Sequence, residues 1–376
     1  MRVGLIGAGR IGAFHAQTLA DHPTVTGVLI SDPLLERAEA VAADVGGSVA
    51  PDAQSMIGDI DAMVIAAATD VHAEMMLLAA ESGIPVFCEK PIATDLPATD
   101  VVVERLRVLD IPAQIGFQRR FDFGYRGAKN LVDSGRLGHL YSVRTTTHDY
   151  DPPPPGYHDT GIFRDTQIHD FDILRFVTGQ EVVEAYADGH TTTTEEFGGD
   201  RPVDTGVVIL SLSDGTRALM SGIRHDPLGH DVRMELFGTR DSVSVGLEPR
   251  LPLRSLENGV APPAEPTPKT FLDRFAPAYR DEIFAFIEVA QGKLASPCTP
   301  EDAREALRIA GKKVPARPGR SVHTAASRPP ETGALAGDRR PATPASAARK
   351  RSSASTRITC TPMCSAKVAM TWSPSR

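Results

Sequence analysis

Val3-Gly4-Leu5-Ile6-Gly7-Ala8-Gly9-Arg10-Ile11-Gly12 carries a short apolar run straight into three glycines spaced GxGxxG. The spacing gives each glycine a task. Gly7 permits a tight strand-to-helix turn, Gly9 lets the backbone approach a pyrophosphate, and Gly12 lets the following helix pack close to the strand. The first N–H groups of that helix then face the phosphates. Asp32 lies 20 residues beyond Gly12, at the end of the next apolar run. A carboxylate there accepts hydrogen bonds from both ribose hydroxyls and repels a 2′-phosphate. The stretch predicts a dinucleotide site that takes NAD rather than NADP, with Arg37 the one neighbour pulling the other way. A glycine-rich turn without a ligand is the alternative.

Outward from this stretch the pattern repeats. Strands read at 3–7, 25–31, 62–67, 85–88 and 113–116, with helices at 11–19, 34–43, 70–82 and 94–108. The strands are apolar throughout rather than alternating, as parallel strands covered on both faces are. Residues 1–118 are therefore expected to form a doubly wound parallel sheet of the Rossmann type. Beyond Phe121 the reading changes to an α+β domain over 119–310 with a large, mostly antiparallel open sheet. It has a helix at 125–134, a strand at 140–147, a loop holding Pro152-Pro153-Pro154-Pro155, and a helix from about 165 to 177. Strands follow at 182–189, 206–213, 217–224, 232–237 and 242–245, with Asp214-Gly215 as a hairpin signal. Helices close the domain at 278–291 and 300–310, the last capped by Thr299 with Pro300 in its first turn.

The formal charge of −8 divides unevenly. From Gly311 onward there are 13 Lys/Arg against only Glu331 and Asp338, so residues 1–310 carry −19. An acidic body of this kind points away from nucleic acid as a partner. The last 66 residues hold only five Val, Leu or Ile, too few to offset ordering by burial, so 311–376 is expected to be a disordered basic tail. Its Arg/Ala/Pro/Ser/Thr bias also resembles GC-rich DNA read out of frame. Cys88, Cys298, Cys360 and Cys364 make no disulfide framework. With no leader-like start and no apolar run of membrane-spanning length, the expectation is a cytoplasmic protein without membrane contact.

Two stretches carry chemistry. Cys88-Glu89-Lys90-Pro91 stands at the C-terminal end of the fifth strand, where open α/β sheets bind ligands. Asp165-Thr166-Gln167-Ile168-His169-Asp170-Phe171-Asp172 places Asp165, His169 and Asp172 at i, i+4 and i+7, one stripe of a single helix. A histidine between carboxylates suits proton transfer near neutral pH. A solvated helix face is one alternative. A zinc site built from these three with His148 or His158 is another, although no metal is the expectation adopted.

Taken together, GAGRIG (7–12), CEKP (88–91), GFQRRFD (116–122) and DTQIHDFD (165–172) resemble the Gfo/Idh/MocA oxidoreductases over about residues 1–310. GFQRRFDFGYR and HDFDILRFVTG look most like the family's inositol 2-dehydrogenase branch. The resemblance implies catalytic roles for Lys90, Asp165 and His169. It implies substrate contacts from Arg120, His148 and Asp172, and cofactor contacts from Arg10, Ile11, Thr69, His72 and Glu89 beside the glycines and Asp32. In that scheme Asp165 orients His169, the acid/base, and Lys90 holds the reacting oxygen. The implied reaction is NAD-dependent oxidation of a ring hydroxyl, foremost of myo-inositol, with an aldose or glycoside as the other substrate. A non-catalytic dinucleotide-binding sensor on the same fold is the rival from another class. His230 stands where many inositol dehydrogenases have tyrosine. Finally, Val207-Val208-Ile209-Leu210 shows no polar alternation, so both faces of that strand need cover. A homo-oligomer, dimer or tetramer, is the expected source of the outer cover.

Overall fold

The apolar run after Met1 becomes strand β1 (Arg2–Ile6), buried at every position but the first. In a computed structural model, which describes residues 1–150, 161–191, 203–246 and 268–311, β1 lies inside a six-stranded sheet. The elements that follow it are α1 (Arg10–Ala20), β2 (Gly27–Ser31), α2 (Leu35–Val45), β3 (Ser48–Val49), β4 (Ala62–Ile65), α3 (Thr69–Glu81), β5 (Val86–Glu89), α4 (Leu96–Leu109) and β6 (Ala113–Gly116). The strand order is β3-β2-β1-β4-β5-β6, all parallel. Val3, Leu5, Val64 and Phe87 on one face and Met63, Ile65, Val86 and Cys88 on the other are fully buried, so both faces are covered and the absence of alternation is explained. β3 was not expected, being two residues long and below what a sequence pattern registers. At the turn out of β1, Gly7 has φ +99°, and a Cβ there would lie 2.6 Å from the Ala66 carbonyl oxygen. A Cβ on Gly12 would run into the carbonyl oxygen of Gly7, the close strand–helix approach that the spacing implied.

A second sheet follows. A 3-10 turn (Gln118–Phe121) leads into α5 (Phe123–Asp133), β7 (Leu140–His148), α6 (Ile162–Asp165), α7 (Ile168–Thr178), β8 (Val182–His190), β9 (Thr205–Leu212), β10 (Arg217–Ile223), β11 (Asp231–Gly238) and β12 (Ser242–Val245). Its order is β12-β11-β7-β10-β9-β8, antiparallel except where β10 meets β7. The hairpin at Asp214-Gly215 forms as read: Gly215 takes φ +92° and the Asp214 carboxylate accepts from the Thr216 N–H at 2.9 Å. Alternate residues on these strands face opposite ways. Val143, Val208, Leu210, Met220 and Met234 are buried on one face. On the other, Tyr186, Ile209 and Leu219 stand side by side across three strands and are 41%, 50% and 47% exposed.

The structure corrects two helices. The single helix expected over 165–177 is two pieces, because Gln167 N–H reaches back five residues to the Ile162 carbonyl at 2.8 Å and closes α6 before α7 restarts. Asp165 and His169 therefore do not share one helical stripe. α8 (Phe271–Ala290) begins seven residues earlier than expected, at a capping box of Thr270 and Asp273, and keeps Pro277 inside it. Its Ile283, Phe286 and Ile287 pack with Val3, Leu5, Val28 and Val64, so this late helix covers the first sheet. α9 (Pro300–Ala310) carries the Thr299 cap, completed by Asp302. The prolines at 152–155, His158 and the tail from 312 lie outside the described residues. Among the described residues no helix is long and apolar enough to cross a membrane.

Candidate active site

The glycine turn and Asp32 form one unit. The carboxylate of Asp32 accepts from Ala8 N–H at 2.7 Å and from Leu34 N–H at 2.8 Å, which holds it against the loop at the end of β2. α1 starts at Gly9 with no side-chain cap and no acidic residue in its first turn. Its first N–H groups are thus left open to an anion, with no acidic side chain of the first turn in competition, so the residues fit a dinucleotide pyrophosphate. Arg10 is exposed, its guanidinium 4.5 Å over the Phe271 ring, and Ile11 is partly buried in the first turn. Thr69 opens α3 and is partly exposed.

Two expected cofactor contacts are placed elsewhere. His72 is 1% exposed, its ring nitrogens lying 2.8 Å from the Pro91 carbonyl oxygen and 3.1 Å from that of Ala67. Glu89 points inward to His15, with Oε1 2.8 Å from Nε2. Both are internal braces of the strand ends.

Lys90 follows the last residue of β5 and reaches across to α6. Its Nζ donates to the Asp165 carbonyl at 2.8 Å and to Asp165 Oδ1 at 3.1 Å. The other oxygen, Oδ2, lies 2.8 Å from Arg224 Nη1. Burial works against a charge on Asp165, but Lys90 and Arg224 outweigh it and hold the carboxyl well below the usual carboxylate range. Asp165 therefore anchors the lysine, not the histidine it was expected to orient. His169 sits on the first turn of α7, its ring edge-on to Phe117. Burial, then the charge of Lys90, then Arg119 and His230, push its proton affinity well below the ordinary 6.5. At neutral pH the ring is uncharged and a base. Its Nδ1 is buried without a partner, which leaves Nε2 as the nitrogen that can meet a substrate hydroxyl.

The three expected substrate contacts each have protein partners in the structure. Arg120 and Asp172 are 6% and 0% exposed and pair with each other, at 2.8 Å and 2.6 Å. Arg120 also donates to Asp302 at 3.0 Å, which ties α7 to the cap of α9. These are buried clamps. His148 lies on the outer face of the second sheet. Its neighbour Thr147 donates to Asp170 on the inner side at 2.9 Å, and alternation turns His148 away, onto Ser221 Oγ and Asp226 Oδ2, each at 3.1 Å. Among the described residues the one set spaced for a metal is His148, Asp226 and Asp231, on the outer face, and not Asp165, His169 and Asp172.

Three functional neighbours escaped the sequence reading. Arg224 reaches Asp165 from the end of β10. Arg119 is buried and bonded to Asp170 at 2.8 Å and Thr147 at 3.0 Å. His230 is 7% exposed and lies 3.2 Å from Asp149. Arg224 and His230 adjoin strands of the second sheet and Arg119 sits on the 3-10 turn, so no local spacing announces that they meet. For His230 alone a signal existed, the exchange for tyrosine.

Residues 1–117 match the Gfo/Idh/MocA model described as an oxidoreductase family with an NAD-binding Rossmann fold, and 125–244 match the Gfo/Idh/MocA C-terminal domain. A myo-inositol dehydrogenase of Streptomyces leeuwenhoekii is 35% identical over 319 residues, 82% of this chain and 95% of that one. The chain belongs to the Gfo/Idh/MocA oxidoreductase family. It is an NAD-dependent oxidoreductase acting on CH–OH. Two solved structures share its fold. A myo-inositol dehydrogenase from Corynebacterium glutamicum has TM-score 0.74 at 31% identity, covering 82% of this chain and 94% of that one. A scyllo-inositol dehydrogenase from Lactobacillus casei, with bound NAD(H) and scyllo-inositol, has TM-score 0.73 at 27% identity and the same coverage.

The lowered proton affinity of His169 has a measurable consequence for stability. An unfolded chain takes up a proton near 6.5 that the folded site refuses, so folding stability falls as pH drops below that value. His169→Gln removes this dependence. Denaturant unfolding at pH 7.5 and 5.5 is expected to show a smaller loss for the variant than for the wild type. An equal loss would show that His169 titrates normally.

Proposed function

We propose that this protein oxidises a ring hydroxyl of an inositol, foremost myo-inositol to the 2-keto inositol, with His169 as the base. The observation that carries the reading is the placement of an uncharged imidazole beside a lysine anchored at the strand end where ligands bind. The names of its relatives, inositol dehydrogenases at both sequence and structure level, support the substrate class. When bound, NAD+ supplies the hydride acceptor for the carbinol carbon. His169 Nε2 takes the hydroxyl proton as the C–O bond becomes C=O, and Nδ1 keeps the ring's other proton. Lys90 donates to the reacting oxygen and, as a cation, favours the developing alkoxide. Asp165, held charged by Lys90 and Arg224, fixes the lysine head. Asp32 selects the ribose diol of NAD+.

A panel of inositols and aldoses assayed with both dinucleotides tests this. NADH formation with myo-inositol is expected, with a higher kcat/KM for NAD+ than for NADP+. His169→Ala is expected to lose about 100- to 10,000-fold in turnover. The acid limb of kcat/KM should lie below 6.5, in line with the lowered affinity of His169, and vanish in the variant. Preference for an aldose would move the substrate class. Dinucleotide binding without turnover on any polyol would favour the sensor, and near-normal turnover in His169→Ala would refute the base.

A homo-oligomer, a dimer or tetramer, is proposed as well. The half-exposed apolar row Tyr186, Ile209 and Leu219 on the outer face supports it, since a second copy is the simplest cover. Light scattering of the wild type is expected to give a dimer or larger, and Ile209→Asp a smaller species. A wild-type monomer at micromolar concentration would contradict it.

A further inference from the structure

His15 and Glu89 form a buried polar pair that the proposed chemistry does not use. His15 lies on α1, the helix whose N-terminus faces the phosphates, and none of its surface is exposed. Glu89 is the last residue of β5, immediately before Lys90, and is 9% exposed. One hydrogen bond of 2.8 Å joins Nε2 to Oε1. Around it the core is shaped to fit. The His15 ring stands edge-on to Phe87 at 5.5 Å and tilted to Tyr279 at 6.1 Å. Glu89 Oε2 would lie 2.9 Å from a Cβ on Gly116, so glycine at that point of β6 makes room for the carboxylate. On the far side Glu282 of α8 is fully buried, with neither carboxylate oxygen partnered. Burial, then the charge of Glu89, push its proton affinity well up.

A buried polar pair is a weak stabiliser, and an apolar pair of similar volume often serves stability as well or better. Direction is what the hydrogen bond adds. This one runs from the phosphate-binding helix to the residue that precedes the lysine. We propose that His15 and Glu89 are positioning residues that fix the end of β5 against α1, and so set where Lys90 stands relative to the bound dinucleotide. Neither touches substrate or cofactor. The inference deepens the dehydrogenase reading and rests on it for its kinetic consequence alone.

The test is the double variant His15→Phe/Glu89→Leu, which keeps the site filled and leaves neither partner of the bond behind unpaired. Its melting midpoint is expected to match or exceed that of the wild type, and its NAD+ affinity in a direct titration to stay near the wild-type value. Turnover should fall on the order of 10- to 100-fold, the cost of a misplaced group. Independently of turnover, acylation of Lys90 in the substrate-free enzyme, followed by mass spectrometry, should quicken several-fold as Nζ leaves its place on Asp165. Wild-type turnover and labelling in a stable double variant would overturn the proposal. Should that variant melt early, the contrast rests on single changes. His15→Phe breaks the bond and should quicken labelling, whereas Glu89→Gln keeps an acceptor oxygen for His15 and should not. Equal labelling in the two would also overturn it. If the wild type oxidises no polyol, the dehydrogenase reading falls while the labelling still decides the positioning.

Discussion

The ion pair between Lys90 and Asp165 is the contact on which the rest of the site depends. It joins the end of a parallel strand to the one-turn helix α6, which lies between β7 and β8 in the chain. Asp165 is mostly buried, and a lone carboxylate there would be costly. Lys90 and Arg224 close on it from two sides, and its main-chain carbonyl takes a further hydrogen bond from Lys90. Burial first, then the charges of Lys90, Arg119 and His230, keep the imidazole of His169 neutral. The lysine that Asp165 anchors thus helps prepare the base.

Two consecutive arginines hold α7 in the place that this arrangement requires. Arg119 pairs with Asp170, and Arg120 with Asp172 and Asp302. Burial pushes both Asp170 and Asp172 toward the protonated form, and the guanidinium beside each opposes it. Removing one partner would strand a buried charge, so these pairs resist change. Polar residues crowded around a histidine look in sequence like a binding surface. Here they are the mortise behind it.

That contrast explains which parts of the site were legible in the sequence. The roles of Gly7 and Gly12 were, because the clash each avoids lies within a few residues or on the adjacent strand. Lys90 was, because a strand end in a parallel sheet is a defined location. The two-sheet architecture followed from apolar runs alternating with helices in the first part of the chain and, after Phe121, a run of strands with a hairpin signal at Asp214-Gly215. Arg224 was not legible, since 59 residues separate it from Asp165 and only the course of β10 unites them. For His148 half the answer was present: alternation requires Thr147 and His148 to face opposite ways, but which face lines the site is a tertiary fact. The break between α6 and α7 escaped because every residue from Asp165 to Phe171 tolerates a helix, and a single five-residue reach by Gln167 N–H decided otherwise.

The account turns on Lys90 helping to hold His169 neutral, and the imidazole signals of His169 in NMR test it most directly. They can be assigned by difference from His169→Gln and followed over pH in the wild type and in Lys90→Met. The wild-type ring is predicted to take its proton well below 6.5, and loss of the Lys90 charge to move that point upward while burial keeps it under the ordinary value. A wild-type His169 that protonates near 6.5, or one whose titration ignores the change at Lys90, would contradict the account.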